Sequence, residues 1–195
     1  MKLKFLKNLP RISILLSAIF LLSTIFFSYN KASGYLLALS SGVINEPQNW
    51  YRFLSYPIVN FEFKIWLLNS IGFILMGWVI EQRVSVKLLV ILITISIVSS
   101  GLFYAIINEQ DNEYIFSFGI IGWSYMGILI VIGCFYWSTY HWLEKVVTIF
   151  YLIFSVISYI TLPKSGSNYL FYTFLFATIF PSIILYFKLT RSKKT

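Results

Sequence analysis

Six long stretches of the chain, approximately residues 12–29, 65–80, 88–107, 115–137, 146–163 and 168–187, contain no Lys, Arg, Asp or Glu. Each comes near the roughly 20 residues that a helix needs to cross the hydrocarbon of a bilayer. An unpaired backbone amide is costly in hydrocarbon, so segments this apolar must bond their own backbone and are expected to be helices. The pattern predicts an all-α, polytopic membrane protein, a single domain over residues 1–195 with six transmembrane helices. Most of the polar connections are short. "NEQDNE" (108–113) reads as an acidic loop and "PKSGS" (163–167) as a turn before the last helix. The first connection, about residues 30–64, is long, aromatic and punctuated by Pro47 and Pro57. Its "NWYRFLSYPIVNFEF" is too hydrophobic for a solvated linker. It predicts a membrane-associated loop with Trp50, Tyr51 and Tyr56 at headgroup level, where an aromatic body and a polar tip are both accommodated.

Composition removes the water-soluble alternative. The chain is 58% hydrophobic and 11% charged, with a mean hydropathy of +0.80, whereas soluble domains carry about 25% charged residues. Lys2, Lys4, Lys7 and Arg11 precede the first apolar run, as in a secretory signal. That run is long, has no Ala-x-Ala-like site after it and is followed by five more spans, so it is expected to be a retained anchor. The net charge of +8 is unevenly distributed. With the N-terminus inside, eleven of the 15 basic residues fall on the inner face, and five of the seven acids fall outside. The positive-inside rule then places both termini in the cytoplasm. The basic tail is expected to meet anionic membrane lipid, not nucleic acid. The high Ile, Phe, Tyr, Lys and Asn content points to an AT-rich bacterial genome and hence to the plasma membrane. Cys134 is the only cysteine and excludes an intrachain disulfide. It is expected to pack in the core, and neither a metal site nor a cofactor is expected.

Two segments carry motif-like spacing. From "WYRF" through "IEQRV" the chain holds Arg52, Asn69, Gly77, Glu81 and Arg83, and "FGIIGWSYMG" (118–127) holds Gly119, Gly122, Tyr125 and Gly127. In this spacing, in its six helices, in its orientation and in its long aromatic first loop, the chain resembles the rhomboid family of intramembrane serine proteases. The family's first loop has a Trp-Arg pair, and two histidines and an asparagine lead into its second helix, which closes with Gly and Glu-x-Arg. Its fourth helix carries Gly-x-Ser-Gly, a tyrosine four residues after the serine and a further small residue. Residues 50–137 carry the resemblance by motif, and the rest follows by topology. The resemblance implies a six-helix rhomboid-like bundle. The departures fall on the chemistry. Asn60 and Ile65 stand at the histidine positions, Ile121 stands on the serine, and in the sixth helix the best match puts Leu170 on the remaining histidine, with Thr173 and Ala177 as the small residues after it.

Serine hydrolysis needs an oxygen nucleophile, a base within about 2.6–3.2 Å, and donors aimed at the oxyanion. Isoleucine and leucine supply none of these. Ser124 shares a helix face with Ile121. The only histidine, His141, is on the order of 25 Å further along, at 1.5 Å per residue, and is expected at the cytoplasmic end. Lys64 and Lys164 lie outside the spans and are not desolvated enough to act as bases. No catalytic residue is therefore assigned. The resemblance implies a pseudoprotease that binds transmembrane client proteins without cleaving them. Asn69, Ser124, Tyr125, Thr173 and Ala177 are its candidate client-binding residues, through interhelical hydrogen bonds and small-residue packing. Glu81 and Arg83 are expected to form a capping and ion-pair network at the end of the second helix. Arg52 is expected to tie the first loop to headgroups or to a carbonyl, and Gly119 and Gly122 to permit close backbone approach. The alternatives are an active protease with an atypical site and a small transporter or immunity-type membrane protein. The sequence lacks the inverted repeats and midplane charges of a transporter, and the intramembrane Glu and His clusters of a metal-dependent protease.

Overall fold

A computed structural model describes residues 9–107, 114–115, 119–161 and 168–192, without the side chains of residues 41, 155, 158–174 and 192. The chain runs through α1 (Arg11–Tyr29), α2 (Lys31–Leu37), β1 (Leu39–Ser40), α3 (Arg52–Ser55), α4 (Phe63–Ile80), α5 (Val86–Ile107), β2 (Tyr114–Ile115), α6 (Gly119–Tyr136), α7 (Trp142–Thr161) and α8 (Asn168–Ser192). Short 3-10 turns follow β1, α3 and α6. Among the described residues the secondary structure is helical apart from one two-residue ladder, as the charge-free runs predict. Among the described residues α1, α4, α5 and α6 are long and apolar enough to cross a membrane. α7 has 20 residues with Glu144 and Lys145 in its first turn, and α8 has 25 with Lys188 and Arg191 near its end.

α6 is the central element. It packs against α4, α5, α7 and α8, while α1 lies on the outer side of the bundle against α4. Phe73, Ile121, Tyr125, Ile128, Leu129 and Ile132 form the middle of the main core. Such cores associate through close packing and interhelical hydrogen bonds, because lipid is as apolar as the side chains themselves. One strip of α6 faces outward, where Ile130 and Cys134, four residues apart, are both exposed. The expected core position of Cys134 is thus corrected: among the described residues no neighbouring helix covers that strip.

The first connection folds into a second small core. Leu39, Val43, Phe53 and Tyr56 from the loop meet Tyr104 and Ala105 of α5, Ile115, Ile120 and Ala177. The loop sits against α5 at Gly101, where a Cβ would lie 3.0 Å from the Phe53 ring and 3.3 Å from the Tyr56 ring. Trp50 and Tyr51 are exposed, in keeping with a place at headgroup level, but Tyr56 is fully buried. Its hydroxyl donates to the Ile97 carbonyl at 3.0 Å, so the helix supplies the polar partner that the interface was expected to supply. Leu39 pairs with Ile115 and Ser40 with Tyr114 in an antiparallel ladder, which is why α6 begins at Gly119 and not near residue 115.

Candidate functional site

The start of α1, the end of α4 and the middle of α6 meet at Ser13. A helix leaves its first amides without intrahelical partners, and Pro10, at the N-cap of α1, makes no side-chain cap. The Glu81 carboxylate fills the role from another helix. It accepts from the Ile12 amide at 3.1 Å, the Ser13 amide at 2.9 Å and the Ser13 hydroxyl at 2.6 Å. Ser13 Oγ also lies 3.1 Å from the Tyr125 hydroxyl. Both Ser13 and Tyr125 are buried. Gly77, one helical turn before Glu81, makes room for Ser13. Gly77, Glu81 and Tyr125, all picked out by spacing, thus converge on a single hydroxyl that sequence reasoning passed over.

Arg83 belongs to a different junction. Its Nη1 and Nη2 donate to the two carboxylate oxygens of Glu144 at 2.7 and 2.8 Å, and Nη1 also donates to the Val79 carbonyl at 3.1 Å. The guanidinium stands 4.4 Å from the centre of the Tyr140 ring. Glu144 accepts from the His141 amide at 2.7 Å, the backward-reaching half of a capping box at the start of α7. The expected Glu81 and Arg83 network is therefore two separate clasps, one joining α4 to α1 and the other joining α4 to α7. Burial pushes the Tyr140 phenol up to about 12, against the opposing pull of the Arg83 charge.

On α6, Ile121, which the sequence resemblance sets at the serine, is 2% exposed and packs in the main core. Ser124 is fully buried, and among the described residues its hydroxyl has no hydrogen-bond partner. His141 lies beyond the opposite end of α6, exposed, with Nδ1 accepting from the Leu143 amide. The side chains of Leu170 and Thr173 lie outside the described residues, as does Lys164. The described contact between α6 and α8 is close. A Cβ at Gly127 would stand 2.4 Å from the Thr178 carbonyl oxygen, and Thr178 Oγ1 donates to the Trp123 carbonyl at 3.2 Å. Pro181 lies within α8 and has no amide to give the Ala177 carbonyl. Ser96 of α5 supplies the missing donor at 2.7 Å. Gly122 is less demanding, since a Cβ there would meet the Phe73 ring at an ordinary 3.4 Å.

The loop positions sort by partner. Asn60 is buried, donates to Thr24 Oγ1 at 3.0 Å and to the Glu62 carbonyl at 3.2 Å, and so ties the loop to α1. Ile65 is exposed. Arg52 is half-buried, and among the described residues its Nε finds no partner, so the expected bond to a carbonyl is not made by that atom. Asn69, within α4, is half-buried. Among the candidate client-binding residues, Ser124, Tyr125 and Ala177 are fully buried, and Asn69 alone of the four described reaches the surface. Gly119 is the first residue of α6. The residues that spacing missed are Ser13, Ser96 and Glu144. Of these only Glu144 left a local signal, an acid three residues into a helix start.

The arrangement offers no hydrolytic pair among the described residues: no serine hydroxyl is bonded to His141 or to a lysine, and no cluster of His, Cys, Asp or Glu is placed to hold a metal ion. Compared with known proteins, the chain matches no family profile and no curated sequence.

Proposed function

We propose that this chain is a rhomboid-like membrane pseudoprotease: a six-crossing bundle, both termini cytoplasmic, that holds transmembrane client proteins in the bacterial plasma membrane without cleaving them. One observation carries the reading. At the position where the resemblance calls for a nucleophile, α6 presents Ile121, which is 2% exposed and shares the main core with Phe73 and Tyr125. The retained positions Gly77, Glu81 and Tyr125 instead serve the junction at Ser13, which is a scaffolding role. α7 and α8 supply the fifth and sixth crossings, their 20 and 25 residues reaching about 30 and 37 Å at 1.5 Å per residue. A client helix meets the outward side of α4 first, where Asn69 offers an amide inside an otherwise apolar surface.

The test is reconstitution in liposomes of the acceptor-labelled protein with a generic transmembrane rhomboid substrate carrying a fluorescent donor, with cleavage followed by gel and serine reactivity by a fluorophosphonate probe. The expected result is energy transfer between labelled protein and substrate with no cleavage and no probe labelling. An Ile121→Ser, Leu170→His variant that gains labelling also supports the alignment. Cleavage or labelling of the native protein that Ser124→Ala abolishes overturns the proposal.

A further inference from the structure

The two ends of the bundle carry their charges differently. At the end where α1 and α7 begin and α4 and α8 finish, the described acids are Glu81 and Glu144. Both are engaged within the fold, Glu81 by the first amides of α1 and Glu144 by Arg83 and the start of α7. Arg11, Lys87, Lys188 and Arg191 at that end are exposed, and none forms a salt bridge among the described residues. At the opposite end Lys31, Arg52 and Lys64 are interspersed with Glu46 and Glu62.

Lys87, Lys188 and Arg191 are carried on this face by α5 and α8, which pack together. The bond from Ser96 to the Ala177 carbonyl fixes the register of the antiparallel helices α5 and α8. At 1.5 Å per residue, Lys87 then lies about 13 Å from that bond and Lys188 about 16 Å from it, toward the same end, with Arg191 one turn further. Leu88 and Leu189, their neighbours in sequence, both pack on the main core, which holds the two helix ends against the same body. The exposed indoles of Trp137 and Trp142 mark the same end at the depth where aromatic rings meet headgroups.

We infer that Lys87, Lys188 and Arg191 form a binding surface for the headgroups of anionic phospholipids. A phosphodiester with no compensating cation complements positive groups gathered at one end of two packed helices, and a zwitterionic headgroup brings its own ammonium into them. The surface is independent of the client-binding reading, since it lies at an end of the bundle and not on the flank of α4. A basic side chain at a membrane surface contributes on the order of fivefold in affinity for acidic lipid.

The full chain is reconstituted in phosphatidylcholine vesicles, and its tryptophan fluorescence is quenched by brominated phosphatidylglycerol or by brominated phosphatidylcholine. The expected preference for phosphatidylglycerol is on the order of tenfold or more at low salt, shrinking several-fold at high salt as the interaction is screened. It falls toward unity in Lys87→Gln/Lys188→Gln/Arg191→Gln and is kept in Lys87→Arg/Lys188→Arg. Should the triple variant fail to fold, the salt titration of the unaltered protein still decides. Equal quenching by the two lipids, an undiminished preference in a folded triple variant, or displacement of phosphatidylglycerol by millimolar inorganic phosphate overturns the proposal.

Discussion

Ser13 occupies the space that a side chain at Gly77 would need: a Cβ there would lie 1.8 Å from Ser13 Oγ and 2.6 Å from its Cβ. The pairing lets α1 approach α4 closely enough for the Glu81 carboxylate to reach two backbone amides. Gly77→Ala is therefore expected to push α1 outward, at about 1–3 kcal/mol for overpacking, plus the weakened cap. Unfolding followed by helicity in a denaturing detergent measures the loss, and Ser13→Gly in the same chain is expected to recover part of it. A Gly77→Ala variant as stable as the parent would show that the junction is loose.

The clasp between α4 and α7 is a buried ion pair, with Arg83 and Glu144 side chains 14% and 5% exposed. Removing one partner leaves the other charged and enclosed, which typically costs about 3–5 kcal/mol. Arg83→Ala and Glu144→Ala should each fall in that range, while Arg83→Met/Glu144→Leu should cost much less. Arg83→Lys is expected to rescue poorly, because an ammonium cannot span both carboxylate oxygens.

Ser96 and Pro181 form a compensated pair. With Pro181 in place the Ala177 carbonyl depends on the Ser96 hydroxyl, so Ser96→Ala is expected to cost about 1–2 kcal/mol. In a Pro181→Ala background the helix supplies its own amide, and the same serine substitution should then cost less. A double-mutant cycle reads the difference, and additive costs would contradict the assignment.

Two loop tyrosines predict an alkaline limit. Burial holds the Tyr56 phenol well above its ordinary range and the Tyr140 phenol at about 12, and Tyr56 also donates to a backbone carbonyl. Because both values are raised in the folded protein, their contribution is intact below pH 10. It is lost as pH rises above 10, through about 12 for Tyr140 and beyond that for Tyr56, as unfolded phenols ionise and folded ones resist. Each adds a slope of about 1.4 kcal/mol per pH unit in that window. Tyr140→Phe should flatten a plot of stability against pH above 10 and leave it unchanged at pH 8.

Client binding should depend on Asn69 more than on the buried candidates. Interhelical hydrogen bonds in membranes are worth about 0.6–1.7 kcal/mol. Asn69→Leu is accordingly expected to weaken binding of a substrate helix, read by energy transfer, about 3- to 18-fold, with Ser124→Ala leaving it unchanged. The reverse ranking would place the client on the α6 side.

The helical character of the fold was legible because a span free of charge over this length has few other solutions in lipid. The hub at Ser13 was not, since it joins residues 68 apart in sequence through a packing choice that no local pattern encodes. The separation of Glu81 from Arg83 could not be read from helical spacing, because α4 ends at Ile80 and both residues lie in the turn that follows it. Tyr56 shows another limit. Its aromatic and polar parts fitted the membrane interface, and only the proximity of α5 to the loop revealed that a carbonyl was waiting for it.

The clasp at Glu81 also has a consequence for biosynthesis. α1 leaves the ribosome with its first amides unmet, and their partner follows 68 residues behind Ser13. At about 5–20 residues per second, that interval is roughly 3 to 14 s. Arg83 then waits a further 61 residues for Glu144. The protein is thus built to close from its N-terminal hairpin onward, each newly made helix completing an end left open by an earlier one.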